Sequence, residues 1–136
     1  MKKINVSIVG ASGYTGGELL RLLLKHPKVN LEQATSETYQ GQLIKIVHPN
    51  LRQFSIQFVG LKDLNHCDVL FLCLPHGLSM KQINGFKERA KVIIDLSGDF
   101  RLDHPKLYEK WYEMVHPNPQ LLNKKVLGLP ELYKDK

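Results

Sequence analysis

Cysteine is nearly absent. The two in 136 residues, Cys67 and Cys73, make no disulfide framework and fit no zinc-ligand spacing. Cys73 falls inside the apolar run Val69 to Leu74, which predicts a buried, inert thiol. Long hydrophobic stretches are also missing. None approaches the roughly 18 residues a membrane helix needs, and Met1-Lys2-Lys3 leads into a strand-like run and not into the apolar core of a signal peptide. No membrane partner is expected, and a cytoplasmic location is. The formal charge of +6 comes with no arginine-rich stripe and no interleaved aromatics; its lysines are scattered and partly terminal (Lys2, Lys3, Lys124, Lys125, Lys134, Lys136). That pattern predicts no nucleic-acid partner, while a positive surface stays compatible with anionic ligands or an acidic carrier. The 43% hydrophobic and 24% charged content is that of an ordinary globular domain.

What is present is organised around Val6 to Leu20. A run rich in β-branched residues stops at Gly10, glycines recur at 13 and 16, and a leucine-rich helical pattern follows at once. Strand, glycine turn and helix in this order form a phosphate grip, because the free N–H groups of the first helical turn face the ligand and the helix dipole favours negative charge. Gly10 is expected to permit the tight turn, Gly13 to let backbone approach a pyrophosphate, and Gly16 to let the helix lie close on the sheet. Gly16, Leu20, Leu23 and Leu24 share one helical face.

Read in order, the pattern predicts strand one over about Ile4 to Val9, a helix over about Tyr14 to Lys25 ended by Pro27, and strand two over about Val29 to Thr35. Strand two should end at the ribose of a bound dinucleotide. Its end, Ala34-Thr35-Ser36, offers hydroxyls where NAD sites usually place a carboxylate, which favours NADP(H); a slip of one residue would instead bring Glu37 into reach. Residues 38 to 53 read as a loop-rich crossover. Ser55 to Val59 alternates like a third strand, Asp63 to His66 reads as a short turn or helix, and Val69 to Leu74 as a central parallel strand. It ends in Pro75-His76-Gly77, which should border the cofactor; His76 either contacts the nicotinamide half or caps the next helix. A helix over Leu78 to Arg89 carries Met80, Ile83 and Phe86 as core, and Val92 to Ile94 is the next strand. It ends in Asp95-Leu96-Ser97-Gly98-Asp99-Phe100-Arg101, where Arg101 either forks onto a phosphate or carboxylate or pairs with Asp99. Leu107, Tyr108, Trp111, Tyr112 and Val115 form the aromatic face of a further helix, and Val126 to Leu132 reads as a short last strand and a turn. The whole predicts an α/β fold: a doubly wound, mainly parallel Rossmann-type sheet with helices on both faces.

Four separated motifs in this order, Gly10 to Leu19, Leu74 to Gly77, Asp95 to Arg101 and Gly128 to Leu132, together resemble the N-acetyl-γ-glutamyl-phosphate reductase family across nearly the whole chain. The stretch Val47-His48-Pro49-Asn50-Leu51-Arg52 looks closer to its archaeal branch, whose members reduce glutamyl or aminoadipyl phosphates attached to the acidic carrier protein LysW. The resemblance implies NADPH-dependent reduction of an acyl phosphate to a semialdehyde in arginine or lysine biosynthesis, through a cysteine thiolate that attacks the acyl phosphate and a histidine that assists. The family's cysteine lies shortly after the segment matching Gly128 to Leu132, and its histidine much later. Cys67, Cys73, His76 and His116 match neither, so no catalytic residue is expected in this chain.

Residues 1–136 are therefore expected to be the dinucleotide-binding domain of a longer protein that forms a homo-oligomer when full length, able to bind NADP(H) but not to turn over alone. By motif position the cofactor contacts are Gly10, Ala11, Ser12, Gly13, Tyr14, Thr15, Gly16, Ala34, Thr35, Ser36, Pro75, His76 and Gly77; Ser97 and Arg101 are candidates near the substrate phosphate, and no metal site is expected. The rival reading is a self-standing NADP-binding redox-sensing module without catalysis.

Overall fold

A computed structural model describes residues 2–133; Lys134 and Lys136 of the scattered basic set lie outside them. Four parallel strands, β1 (Ile4–Val9), β2 (Val29–Ala34), β3 (Cys67–Leu72) and β4 (Ala90–Asp95), form one sheet in the order β2-β1-β3-β4. The chain steps from β1 outward to β2, then crosses back to β3 on the other side. The reversal places the topological switch point between β1 and β3, at whose carboxyl ends open α/β sheets take their ligands.

Alternation along the strands divides the core between the two faces of the sheet. Ile8 meets Leu20 of α1 (Tyr14–Leu23) together with Ala34, Ile44, Leu51 and Phe58, and Leu23 and Leu24 pack against this group. Val9, Leu70 and Leu72 face the opposite way, onto Ile83 and Phe86 of α3 (Leu78–Lys87). Helices thus cover both faces, as the patterning requires of a parallel sheet. A third group, Met80, Tyr108 and Leu122, joins α3 to α4 (Pro105–Tyr112) and to a 3-10 segment, Pro119–Lys124. Of the expected aromatic face only Tyr108 is fully buried; Trp111 and Val115 face solvent.

The sheet differs from the sequence reading at two places. Ser55 to Val59 is not a strand. It makes one parallel bridge, Thr35 to Val59, and one antiparallel bridge, Leu43 to Gln57. Its backbone hydrogen bonds are split between two neighbours: Val59 N–H donates to the Ala34 carbonyl at 3.0 Å, whereas Phe58 N–H donates to Gln42 at 2.9 Å. Alternating polarity within this segment therefore reflects Phe58 turning into the core, and no continuous ladder forms. Val126 to Leu132 is not a strand either. Among the described residues no neighbour supplies it a ladder, and the chain coils from Pro130 into a short helix, α5 (Pro130–Tyr133), with Leu132 N–H donating to the Leu129 carbonyl at 3.0 Å. Residues 38 to 53, read as irregular, contain a helical turn, α2 (Ile44–Val47), and a 3-10 turn, Pro49–Leu51, which bury Ile44 and Leu51. Among the described residues no helix is long and apolar enough to cross a membrane, and no group of three or more His, Cys, Asp or Glu is placed to hold a metal ion.

Candidate functional site

The turn from β1 to α1 is fixed by backbone. Gly10 has φ +78°, and a Cβ there would lie 2.4 Å from the Cys73 carbonyl oxygen, so β3 leaves no room for any side chain. Ala11 N–H donates to the Thr35 carbonyl at 2.8 Å, which ties the turn to the end of β2. At Gly16 a Cβ would lie 2.5 Å from Ala11 Cα. This glycine serves the approach of α1 to its own turn, and not its approach to the sheet as the spacing had suggested.

Gly13 is different. Its φ of −76° is open to any residue, and a Cβ there would meet only the Gly10 oxygen at 3.7 Å. Nothing in the fold requires glycine, whereas a ligand lying on the backbone would. Gly13 is also the N-cap of α1, yet no side chain caps that helix and no acidic residue stands in its first turn. The first-turn amides of a helix lack intrahelical acceptors, and Ser12 N–H also donates to no acceptor among the described residues. Gly13, Tyr14 and Thr15 are exposed around this ring of donors.

At the end of β2, Ala34, Thr35 and Ser36 are all buried. The Thr35 hydroxyl lies 3.4 Å from Gly10 N–H as its acceptor, and Ser36 donates through its hydroxyl to Ser12 Oγ at 2.9 Å while accepting from Tyr39 N–H. These two hydroxyls join the strand end to the glycine turn. The Glu37 carboxylate accepts from Leu61 N–H at 2.6 Å and so is committed elsewhere.

At the end of β3, Pro75 and His76 are exposed, and Gly77, with φ +88°, is the N-cap of α3. His76 does not cap that helix. Its Nδ1 accepts from Gly98 N–H at 2.8 Å, and its ring stands edge-on to Tyr112 at 5.6 Å. The cap comes from Asp99, whose carboxylate accepts from Gly77 N–H at 2.7 Å and Met80 N–H at 2.9 Å. Because Asp99 is spent on α3, it forms no ion pair with Arg101, whose side chain is exposed and free of ion pairs among the described residues. Ser97 is buried and engaged on both sides: its hydroxyl donates to Asp95 Oδ2 at 2.9 Å and accepts from Asp99 N–H at 3.1 Å. Asp95 also accepts from Ser79 Oγ and Ser97 N–H. Burial raises its pKa against these hydrogen bonds, with Asp99 adding to the rise.

Neither thiol is an activated nucleophile. Burial, and secondarily Asp95, pushes Cys73 up to about 12, and burial raises Cys67 as well. Two residues of this region carry no sequence signal for their roles: Asp99, which caps a helix that begins about twenty residues earlier, and His48, whose Nε2 lies 2.9 Å from the Ala11 carbonyl oxygen.

The profile of the semialdehyde dehydrogenase NAD-binding domain, a nicotinamide-cofactor domain, matches residues 5–136. The chain is 50% identical over 133 residues to a putative [LysW]-L-2-aminoadipate 6-phosphate reductase of Thermomicrobium roseum, covering 97% of this chain and 38% of that protein. It is 49% identical over 138 residues to an N-acetyl-gamma-glutamyl-phosphate reductase of Methanosphaera stadtmanae, covering 100% of this chain and 40% of that one. To the [LysW]-L-2-aminoadipate/[LysW]-L-glutamate phosphate reductase of Saccharolobus solfataricus it is 46% identical, over 96% of this chain and 38% of the relative. The chain thus spans about two-fifths of the length of these relatives. Among solved structures, aspartate semialdehyde dehydrogenase II of Vibrio cholerae superposes with a TM-score of 0.62 at 19% identity, over 83% of this chain and 36% of that one. The Candida albicans aspartate semialdehyde dehydrogenase with NADP gives 0.58 at 18% identity, over 76% and 32%. At that identity these two speak for the fold, a four-stranded Rossmann-type sheet. By the profile match and the identities together, the chain belongs to the semialdehyde dehydrogenase NAD-binding domain family.

Proposed function

We propose that residues 1–136 are the NADP(H)-binding domain of a reductase that converts an acyl phosphate to a semialdehyde in arginine or lysine biosynthesis. The observation that carries this reading is Gly13: a glycine with ordinary backbone and open space, at the uncapped start of α1. The pyrophosphate would lie across the amides of Ser12 and of Tyr14 to Gly16, close to the Gly13 Cα, whose own N–H donates to the Gly10 carbonyl at 3.4 Å. Gly10, Ala11 and Gly16 shape the turn, and the bound nicotinamide would supply a hydride to the acyl carbon.

Preference for NADP(H) over NAD(H) is supported at the end of β2, the ribose position. Thr35 and Ser36 stand there with buried hydroxyls bonded to the glycine turn, and the neighbouring carboxylate, Glu37, accepts from Leu61 N–H. A 2′-phosphate meets no like charge, and a 2′-hydroxyl finds no carboxylate. Pro75, His76 and Gly77 stand at the carboxyl end of β3, where the nicotinamide half would run. Arg101 is the candidate for the substrate phosphate, having an unpaired guanidinium suited to a forked contact. Ser97 acts behind it, as a brace between Asp95 and Asp99.

The acyl group is N-acetyl-γ-glutamyl phosphate or a LysW-bound aminoadipyl or glutamyl phosphate, following the names of the relatives. A net charge of +6 suits the acidic carrier. Titration of the chain with NADPH and NADH tests the cofactor. NADPH is expected to bind at least about tenfold tighter; equal affinity, or no binding of either, overturns the assignment. Carrier binding, measured with the full-length protein, should weaken steeply as salt is raised.

A further inference from the structure

The glycine turn is gripped from behind by a side chain that no motif assigns. His48 sits between α2 and the 3-10 turn Pro49–Leu51, with its backbone fixed at both ends: His48 N–H donates to the Ile44 carbonyl at 2.8 Å, and the His48 carbonyl accepts from Leu51 N–H at 2.9 Å. Its ring stands edge-on to the buried Phe58, with centroids 6.3 Å apart. The ring fills the space a side chain on Gly17 would need, since a Cβ there would lie 2.5 Å from His48 Cε1. From this seat Nε2 reaches the Ala11 carbonyl oxygen at 2.9 Å.

From this arrangement we infer that His48 is a positioning residue for the cofactor phosphates, acting through the Ala11–Ser12 peptide. A carbonyl can only accept, so Nε2 carries the proton and donates it. A trans peptide is planar, with its C=O and N–H pointing in opposite directions. Drawing the Ala11 carbonyl inward onto His48 therefore turns the Ser12 N–H outward, to the side where Gly13 is open and the first amides of α1 are uncapped. Ser12 N–H is without an acceptor among the described residues, as a donor reserved for a ligand must be. Gly17 has its reason here as well: it is the residue on α1 that admits the imidazole.

The inference rests on the cofactor reading above, and its test separates the two. NADPH titration of the full chain is compared for the unaltered protein, His48→Ala, His48→Gln and Gly17→Ala. Loss of one aimed donor predicts binding about tenfold weaker for His48→Ala, and a loss held within about threefold for His48→Gln, whose amide nitrogen can reach the same carbonyl. Gly17→Ala is expected to weaken binding although alanine is the better helix former, because its methyl displaces the ring. In the unaltered chain, imidazole 15N shifts should report a protonated Nε2, and the Ser12 amide resonance should move on His48→Ala without ligand. Equal affinity of His48→Ala and the unaltered chain, equal losses in His48→Ala and His48→Gln, or protonation at Nδ1 alone overturns the role of His48 while leaving the cofactor reading in place. If the unaltered chain binds neither nucleotide, both fall. Should His48→Ala not fold, the ring shifts and Gly17→Ala decide.

Discussion

Asp99 accepts from the Gly77 amide at 2.7 Å, from 22 residues away in sequence, and so supplies the N-terminal cap that α3 lacks in its own sequence. With Met80 N–H on its second oxygen, this buried carboxylate couples the carboxyl ends of β3 and β4. Asp99→Ala leaves two amides without an acceptor and should lower stability by about 3 kcal/mol in urea unfolding. Asp99→Asn, which keeps one acceptor, should lose less. Equal stability of Asp99→Ala and the unaltered protein would show that solvent satisfies these amides.

The glycines of the first turn should part company under mutation. Gly10→Ala drives a methyl into the Cys73 carbonyl at a positive φ and is expected to cost more than about 2 kcal/mol. Gly13→Ala meets only open space at a permitted φ, and the entropy gained by losing a glycine is offset by the N-cap preference for glycine over alanine, so stability should change by less than about 1 kcal/mol. The same Gly13→Ala change should weaken NADPH about tenfold or more, because its methyl stands where the pyrophosphate would lie. Thermal melts with and without nucleotide distinguish the two residues directly.

The thiols give a prediction about pH. Cys73, with a pKa pushed up to about 12, and Cys67, also raised, are protonated at pH 8. A disulfide reagent should therefore label the native chain at least about a hundredfold more slowly than a free cysteine, and label both residues at once after unfolding. Each folded-state pKa lies above its unfolded value, so the associated stability is complete below about pH 8.5 and is lost as pH rises through the folded-state value, which for Cys73 is about 12. Stability of the unaltered chain should fall between pH 9 and 11 by more than that of Cys73→Ala.

Ser36 offers a test of cofactor choice. Ser36→Asp keeps an acceptor for Tyr39 N–H and replaces the hydroxyl that donates to Ser12 Oγ with a carboxylate able to accept from it, but adds a negative charge at the proposed ribose position. NADPH binding should weaken about tenfold or more while NADH binding holds or improves. Parallel losses for both nucleotides would place Ser36 away from the 2′ position.

Most of the frame was readable because it depends on local pattern. β-Branched runs, the leucine stripe of α1 and the residues Met80, Ile83 and Phe86 each report one element and its buried face, and all four strands stand where those signals fell. What escaped depends on partners distant in sequence. Ser55 to Val59 has the alternation of a strand but shares its hydrogen bonds between Ala34 and Gln42, and alternation does not say who the neighbour is. The sequence offers Asp99 only one partner, Arg101 two residues on; only the fold brings Gly77 and Met80 to it. Gly16 was rightly read as a close approach, yet the surface approached is the preceding turn and not the sheet. At the candidate site, the sequence points to the exposed rim of Gly13, Tyr14 and Thr15 and places His48 only within the stretch Val47 to Arg52, without a role at the turn, since a lone imidazole in a proline-marked loop carries no spacing rule.

The proposed grip on the ligand would consist of main-chain N–H groups from Ser12 onward, and every amino acid except proline provides the same one. Sequence drift along this rim can therefore change bulk and direction but can hardly erase the donors themselves. Tolerance is expected at Tyr14 and Thr15, whose amides would persist beneath almost any side chain, and intolerance at the deeper positions that set the angle of those amides.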